Sequence, residues 1–364
     1  MSSTNTMLTR DASTSGLRAD FAVRRRDFLV KCCLEVLASQ TLVLFGPSGS
    51  GKTTIVEAIA GLCRLDQGSI WLGETCLSSQ PDRVHLELAS RRVGLVRQPL
   101  DLFPHLTVEQ NVAYSLLHTR ASRSHLNLLR SRIARALSDV GLDESFGPIY
   151  PRALSQGQRE RVVVARLLTS EIDLLLLDEP FRALDGPSRR SLLELVQEVF
   201  RKIPIIIVTH QFEEAQAFAG EIVLIERGTV LEVGVPSDVL ANPATPRVAQ
   251  LMGCEVIELN DQVILAVHPD SVELLAKHES VPSPGGRLII FGTVDRLRPK
   301  GGRYEARIQV REVNLGNSMV GLTQSRQSTK YVAPVGCLVS VTLDHLVEVG
   351  TSVSLCPRLY KVFN

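Results

Sequence analysis

Leu42-Val43-Leu44-Phe45 runs directly into Gly46-Pro47-Ser48-Gly49-Ser50-Gly51-Lys52-Thr53, and an apolar-periodic stretch from Thr54 to Leu62 follows, stopping at or just after Gly61. A short apolar run, a glycine-rich break and a helical period read as strand, loop and helix. Glycines let successive backbone N–H groups converge on phosphate oxygens, and the helix that follows offers its positive end. Lys52 of such a loop reaches the outer phosphates, and the Thr53 hydroxyl suits a Mg²⁺ shell.

A second chemical signal lies downstream. Ile172-Asp173-Leu174-Leu175-Leu176-Leu177-Asp178-Glu179 is an apolar run ending in two carboxylates. Continuous apolar character marks a strand buried on both faces, and its C-terminal edge is where α/β sheets bind ligands. Asp178 can hold Mg²⁺ there, directly or through water. Glu179, one residue on, points elsewhere and suits orienting and deprotonating an attacking water. Four further elements occur in order: Gln98; Leu154-Ser155-Gln156-Gly157-Gln158; Ala183-Leu184-Asp185; and Val208-Thr209-His210. Taken singly, these read as a surface amide, an N-cap, a loop and a strand-end histidine. Six elements in one order are much harder to assign to coincidence.

Around them the pattern alternates. Ile70–Leu72, Val93–Val96 and Ile205–Val208 read as strands, and Val108–Leu117, Arg130–Val140, Ser155–Leu168, Ser188–Phe200 and Phe212–Phe218 as helices. Such alternation implies a mostly parallel sheet covered on both faces. After about Pro236 the texture changes to short alternating segments, Val263–Val267, Leu288–Val294, Tyr304–Val310, Leu338–Leu343 and Val353–Cys356, which suggest a small antiparallel barrel.

Composition narrows the function. The chain has 364 residues, 44% hydrophobic and 22% charged, which excludes disorder over most of its length. With 40 basic and 39 acidic residues the net charge is +1, and aromatics are 5%, so no global field or stacking surface recruits nucleic acid. No apolar run approaches the ~18–20 residues that span a bilayer. The seven cysteines, 32, 33, 63, 76, 254, 337 and 356, form no C-x-x-C pair, and adjacent Cys32 and Cys33 read as reduced thiols of a cytoplasmic chain. Met1 to about Gly16 is polar, Ser/Thr-rich and lacks the apolar core of a secretory signal, so it reads as a disordered leader.

The six elements together resemble the nucleotide-binding subunit of ABC transporters over about residues 17 to 240, with Gln156 where the signature usually has glycine and Arg182 where serine usually precedes Ala183. The resemblance implies an α/β P-loop NTPase domain with a helical subdomain at about 99–152, followed by a small all-β OB-like domain over 250–364. It implies ATP and Mg²⁺ as cofactors, with ATP held by Gly46 through Thr54, including Ser48, Gly49 and Ser50, and by Gln98. Thr53, Asp178 and Gln98 would serve the metal. Lys52, Glu179 and His210 would carry catalysis, and Gln98 would link the Mg²⁺ site to the membrane partner. Two copies would sandwich two ATP molecules, each site completed by Ser155, Gln156, Gly157 and Gln158 of the other copy, with Asp185 at the contact. Adenine stacking normally uses an aromatic upstream of the loop; Phe21 fits the spacing slightly better than Phe28, and either could be core. Arg24-Arg25-Arg26 could be a solvated turn or could help meet phosphate.

Absence of membrane helices points to an importer ATPase at the cytoplasmic face, acting on separate integral membrane permease subunits and, indirectly, an external solute-binding protein. Leu102-Phe103-Pro104-His105-Leu106-Thr107-Val108 is similar to importer sequences, and the ending Val353 to Phe363 looks most like sulfate-type subunits. Sulfate or molybdate is the expected solute, with polyamine, ferric iron or sugar, or a non-transport ABC ATPase, as alternatives. The Ser-x-Arg-Asn oxyanion motif of molybdate-binding barrels is absent near Leu288–Val294.

Overall fold

Alternation decides the first hairpin, which the sequence reading left unassigned. In β1 (Leu17–Arg24) the side chains of Leu17, Ala19, Phe21 and Val23 are buried, and in β2 (Leu29–Val36) those of Val30, Cys32, Leu34 and Val36, while Arg18, Asp20, Lys31, Cys33 and Glu35 face water. Period-two burial of this kind makes a sheet with one face inward. Cys32 and Cys33 therefore point to opposite faces, and both are free thiols. Burial pushes the Cys32 thiol far above its ordinary range. With β4 (Gln67–Leu72), β5 (Thr75–Ser79) and β6 (Val84–His85) the hairpin forms an antiparallel sheet in the order β2-β1-β4-β5-β6. The structure is a computed structural model and describes residues 16–25, 28–97, 102–117, 126–180, 182, 184–260, 263–275, 288–300, 303–315, 329–332, 338–343, 347, 349–350, 352–357 and 360–363.

A second sheet carries the chemistry. It contains β3 (Thr41–Phe45), β7 (Val93–Arg97), β8 (Leu174–Asp178), β9 (Ile205–Thr209), β10 (Glu221–Glu226) and β11 (Thr229–Gly234), in the order β11-β10-β3-β9-β8-β7. All neighbours run parallel except β10 with β11. Every residue of β8 and β9 is buried, as a strand covered on both faces requires. Helix α1 (Lys52–Ala60) packs Ile55, Val56 and Ile59 between the two sheets, against Phe21 and Leu34 on one side and Leu174, Leu176 and Ile206 on the other. Burial of each such side chain contributes about 1.5–3 kcal/mol.

The remaining helices of this unit follow. Helices α2 (Val108–Leu117), α3 (Leu126–Asp139) and α4 (Gln156–Thr169) pack against one another. Fully buried Asn111 fixes the approach to α2: its amide donates to the carbonyls of Phe103, Leu106 and Thr107 and accepts from the Phe103 N–H at 2.9 Å. Helices α5 (Gly186–Val199) and α6 (Phe212–Phe218) follow β8 and β9. No helix among the described residues is long and apolar enough to cross a membrane.

The chain divides between Pro236 and Ser237. The second unit begins with α7 (Pro236–Ala241) and α8 (Pro246–Leu251) and is otherwise β. Strands β12 (Glu255–Asn260), β13 (Val263–Val267) and β20 (Tyr360–Phe363) form one antiparallel sheet. Strands β14 (Val272–Leu275), β15 (Ile289–Lys300), β16 (Arg303–Leu315), β17 (Thr329–Val332), β18 (Leu338–Leu343) and β19 (Ser352–Pro357) form the other. Ile290, Val294, Ile308, Val339, Val341 and Leu355 are among its core residues. β15 and β16 outrun the expected segments: pairing continues through Arg298↔Glu305 to Lys300↔Arg303, where the side chains are too polar to announce a strand.

One buried charge braces the first unit. Arg91 is 1% exposed and donates to the carbonyls of Ala58 and Ile59, at 3.3 and 3.0 Å, so it caps the C-terminal end of α1. It also donates to Leu86 O and Ser78 Oγ. Gly61, at φ 84°, ends the helix here, and a Cβ on it would lie 2.3 Å from Arg91 Nε. Arg91→Ala is therefore expected to destabilise the chain by about 3 kcal/mol, removing buried donors to the α1 carbonyls, Leu86 O and Ser78 Oγ. Urea unfolding checks this; a midpoint unchanged from wild type would deny Arg91 the bracing role.

Candidate nucleotide site

Register assembles the site. Phe45 pairs with Thr209, Val208 with Asp178, and Asp178 with Arg97, so β3, β9, β8 and β7 all end at one edge. The residues that follow each strand, Gly46, His210 and Glu179, consequently emerge side by side. Gln98 follows β7 at the same edge in sequence and lies, with Pro99, Leu100 and Asp101, outside the described residues.

The loop from Gly46 to Thr53 has the shape its glycines allow. Gly46, Gly49 and Gly51 have φ of 152°, 78° and 107°, a region that side chains rarely enter, and a Cβ on Gly46 would lie 2.1 Å from Ile225 O. Lys52 is 5% exposed and folds back on the loop, donating to Gly46 O and Pro47 O, both at 2.8 Å, and to Ser50 Oγ at 3.3 Å. Burial lowers the Lys52 ammonium from its usual range, while the charges of Glu179 and Asp178 act to raise it. A cation held against carbonyls at a helix N-terminus is the fitting counterpart of phosphate oxygens. Ser48 and Pro47 lie in the same loop, and Thr54 begins the covered part of α1.

Thr53 Oγ1 donates to Asp178 Oδ1 at 3.2 Å, tying the loop to the end of β8. Burial raises the Asp178 carboxyl; the Thr53 hydrogen bond opposes this, and the charges of Glu179 and Glu57 add to it. A hydroxyl and a carboxylate form an oxygen donor set, which fits Mg²⁺. Glu179 sits at φ 46°, uncommon for a non-glycine residue, with its N–H bonded to Val208 O at 3.1 Å. Its Oε1 lies 3.4 Å from His210 Nδ1 and its Oε2 accepts from Arg182 Nη1 at 2.9 Å. Arg182 is the residue here that sequence reasoning marked only as a departure.

The signature residues gather elsewhere in the unit. Ser155 caps α4 in a capping box, accepting from Gln158 N while the Gln158 side chain accepts from Ser155 N at 2.9 Å. Gln156 Nε2 donates to Glu160 Oε1 at 3.0 Å, and a Cβ on Gly157 would meet only Leu184. Asp185 caps α5 by position, with no side-chain bond to the helix. Phe21 is 3% exposed and packed in the core because β1 alternates that position inward, the core alternative that the sequence left open. Phe28 lies beside the loop instead, its ring 3.4 Å from where a Gly51 Cβ would stand. Arg25 is held in the chain: it donates to Thr54 Oγ1 at 3.3 Å and pairs with Glu57.

A phosphate cradle beside two carboxylates at a parallel-sheet edge defines a nucleoside-triphosphate-binding protein. The ABC transporter family matches residues 30–182. The sulfate/thiosulfate import ATP-binding protein CysA of Synechocystis sp. is 32% identical over 351 residues, covering 91% of this chain and 89% of that one. A probable protein of the same name from Chlorella vulgaris is 39% identical over 222 residues, 60% of this chain and 90% of that one. Among solved structures, the ATP-binding cassette MJ0796 in a dimeric post-hydrolysis state with ADP and Pi superposes with a TM-score of 0.51 at 24% identity, covering 61% of this chain and 98% of that one. The chain belongs to the ATP-binding subunits of ABC transporters.

At neutral pH Asp178 is a buried charge beside other carboxylates, in a fold that holds its pKa raised. A raised carboxyl contributes stability at low pH that is lost as pH rises through the carboxylate range. Asp178→Asn is therefore expected to raise the melting temperature of the nucleotide-free chain at pH 7 by roughly 2–4 °C, for about 1 kcal/mol. The same variant should lose the extra stabilisation that Mg·ATP gives wild type. Thermal unfolding with and without Mg·ATP reads both effects.

Proposed function

We propose that this chain is the ATP-hydrolysing subunit of an importer for sulfate or thiosulfate, working as a pair of copies on integral membrane permease subunits at the cytoplasmic face. The carrying observation is the convergence of Lys52, Thr53, Asp178, Glu179 and His210 at one sheet edge. The solute rests on the names of the relatives, one of which aligns over 91% of this chain. An external binding protein would select the solute, since an ATPase subunit has no site for it.

In the mechanism Lys52 leaves the Gly46 and Pro47 carbonyls for the outer phosphate oxygens, and the loop amides hold the rest of the triphosphate. Thr53 and Asp178 would hold Mg²⁺, with Gln98 by resemblance, and the ion when bound supplies charge neutralisation between the outer phosphates. Glu179 takes a proton from water as the water oxygen bonds to the γ-phosphorus and the bridging P–O bond breaks, leaving ADP and phosphate. His210, beside Glu179 Oε1, orients that carboxylate. Ser155 and Gly157 of the second copy close over the γ-phosphate, with the N-terminus of their α4 adding positive potential.

Lys52→Ala is expected to lower phosphate release by at least about 100-fold. Glu179→Gln should keep ATP affinity and lose turnover, trapping a dimer of doubled mass on sizing with ATP; normal hydrolysis in that variant would give the base role to another residue. Ser155→Arg should bind nucleotide yet not hydrolyse it, and unchanged turnover there would deny a site shared between copies.

Coupling to the permease is assigned to the approach to α2. Phe103 packs its ring on Tyr114, 4.3 Å between centroids, with the Arg166 guanidinium 5.6 Å from the ring. Phe103→Ala should reduce transport more than it reduces phosphate release by the isolated subunit. Cells lacking the chain should take up less radiolabelled sulfate and thiosulfate, with maltose and spermidine uptake unchanged. Loss of molybdate uptake alone would reassign the solute while leaving the importer reading in place.

A further inference from the structure

Glu179 is held from two sides. Its Oε2 accepts from Arg182 Nη1 at 2.9 Å, and its Oε1 faces His210 Nδ1 at 3.4 Å. Its backbone at φ 46° is fixed to Val208 O, and among the described residues these two side chains hold the carboxylate. The shorter contact is the one to Arg182. Arg182 lies three residues further along, between the carboxylate and α5, and its side chain is 63% exposed. A base that accepts a proton from water needs a carboxylate lone pair aimed at that water, and the guanidinium bond turns Oε2 toward Arg182 instead.

We propose that Arg182 is a positioning residue that latches Glu179 in the free subunit and must release it before water can be activated. The inference rests on the reading of Glu179 as the base and adds a residue that gates it. Because the pair is exposed, it is weak and screened by salt, so release demands little free energy. Covering of this surface by the second copy then separates Arg182 from Glu179 and leaves His210 to set the carboxylate's direction. The cost of the latch appears in turnover, because the group that Arg182 holds is the carboxylate read as the base.

The test uses the full chain with Arg182→Ala and Arg182→Lys, read by phosphate release at saturating Mg·ATP in low and high salt. Arg182→Ala is expected to raise kcat at low salt by about two- to fivefold, the range an exposed ion pair supplies, with KM unchanged. The difference should close in high salt, where screening loosens the wild-type pair, and Arg182→Lys should fall between the two. A kcat at or below wild type in Arg182→Ala, or a gain that salt does not diminish, overturns the latch. Glu179→Gln is measured in both backgrounds to separate the two claims. Inactivity in both keeps Glu179 as base whatever Arg182 does, whereas normal hydrolysis in either removes the base reading and the latch with it.

Discussion

The hydrogen bond from Thr53 to Asp178 joins two parts of the chain that are 125 residues apart. On one side stands the glycine loop and α1; on the other, the end of β8. Neither partner can move without the other, because α1 is wedged between two sheets and β8 is buried along its whole length. The bond is therefore held in register by hydrophobic packing, and packing of this density transmits small displacements with little loss. Lys52, Glu179 and His210 take their places from the same two anchors. A substitution that shortened β8 or loosened α1 would misplace all of them at once.

Electrostatic cost is concentrated at that edge. Asp178, Glu179 and Glu57 crowd one another, and burial raises the Asp178 carboxyl while it lowers the Lys52 ammonium. Lys52 donates to the carbonyls of Gly46 and Pro47 and to Ser50 Oγ, and Asp178 accepts from Thr53. A triphosphate with its divalent ion meets both demands, giving the ammonium anions to bind and the carboxylate a cation. The left-handed Glu179 backbone belongs to the same account, as strain tolerated where chemistry needs a particular direction.

Much of this was legible before the structure. The loop, the acidic strand and His210 announce themselves because their chemistry demands fixed residue types at fixed spacings, and β8 and β9 are apolar enough to name. The β1–β2 hairpin was not legible, since Ala22 breaks the alternation on one side and Cys32-Cys33 obscures it on the other. Phe21 stayed open between adenine and core for a related reason: spacing from the loop counts residues, whereas the face of a strand is set by parity. The N-cap at Ser155 was visible, whereas its reciprocal closure by Gln158 appears only in the fold. Arg182 stood out as an unusual residue, and only distance showed that it reaches back to Glu179.

Three helices converge on one polar chain that links the signature segment to His210. Arg189 on α5 donates to Leu184 O and to Glu214 Oε1, and Glu214 Oε2 accepts from Thr209 Oγ1 at 2.7 Å. Thr209 Oγ1 in turn accepts from Gln211 N, so the residues on either side of His210 are tied to α5 and α6. From the other direction Gln156 holds Glu160 by Oε1, while the buried Glu160 Oε2 and Arg189 Nε have no hydrogen-bond partner among the described residues. Burial raises the Glu160 carboxyl, and the charge of Arg189 opposes that rise. Two opposite charges that act on each other without completing a hydrogen bond make a junction between α4 and α5 weaker than the fully bonded one between α5 and α6. The geometry around His210 is thus tied to α5 and α6 by completed hydrogen bonds, and to α4 through the charges of Glu160 and Arg189.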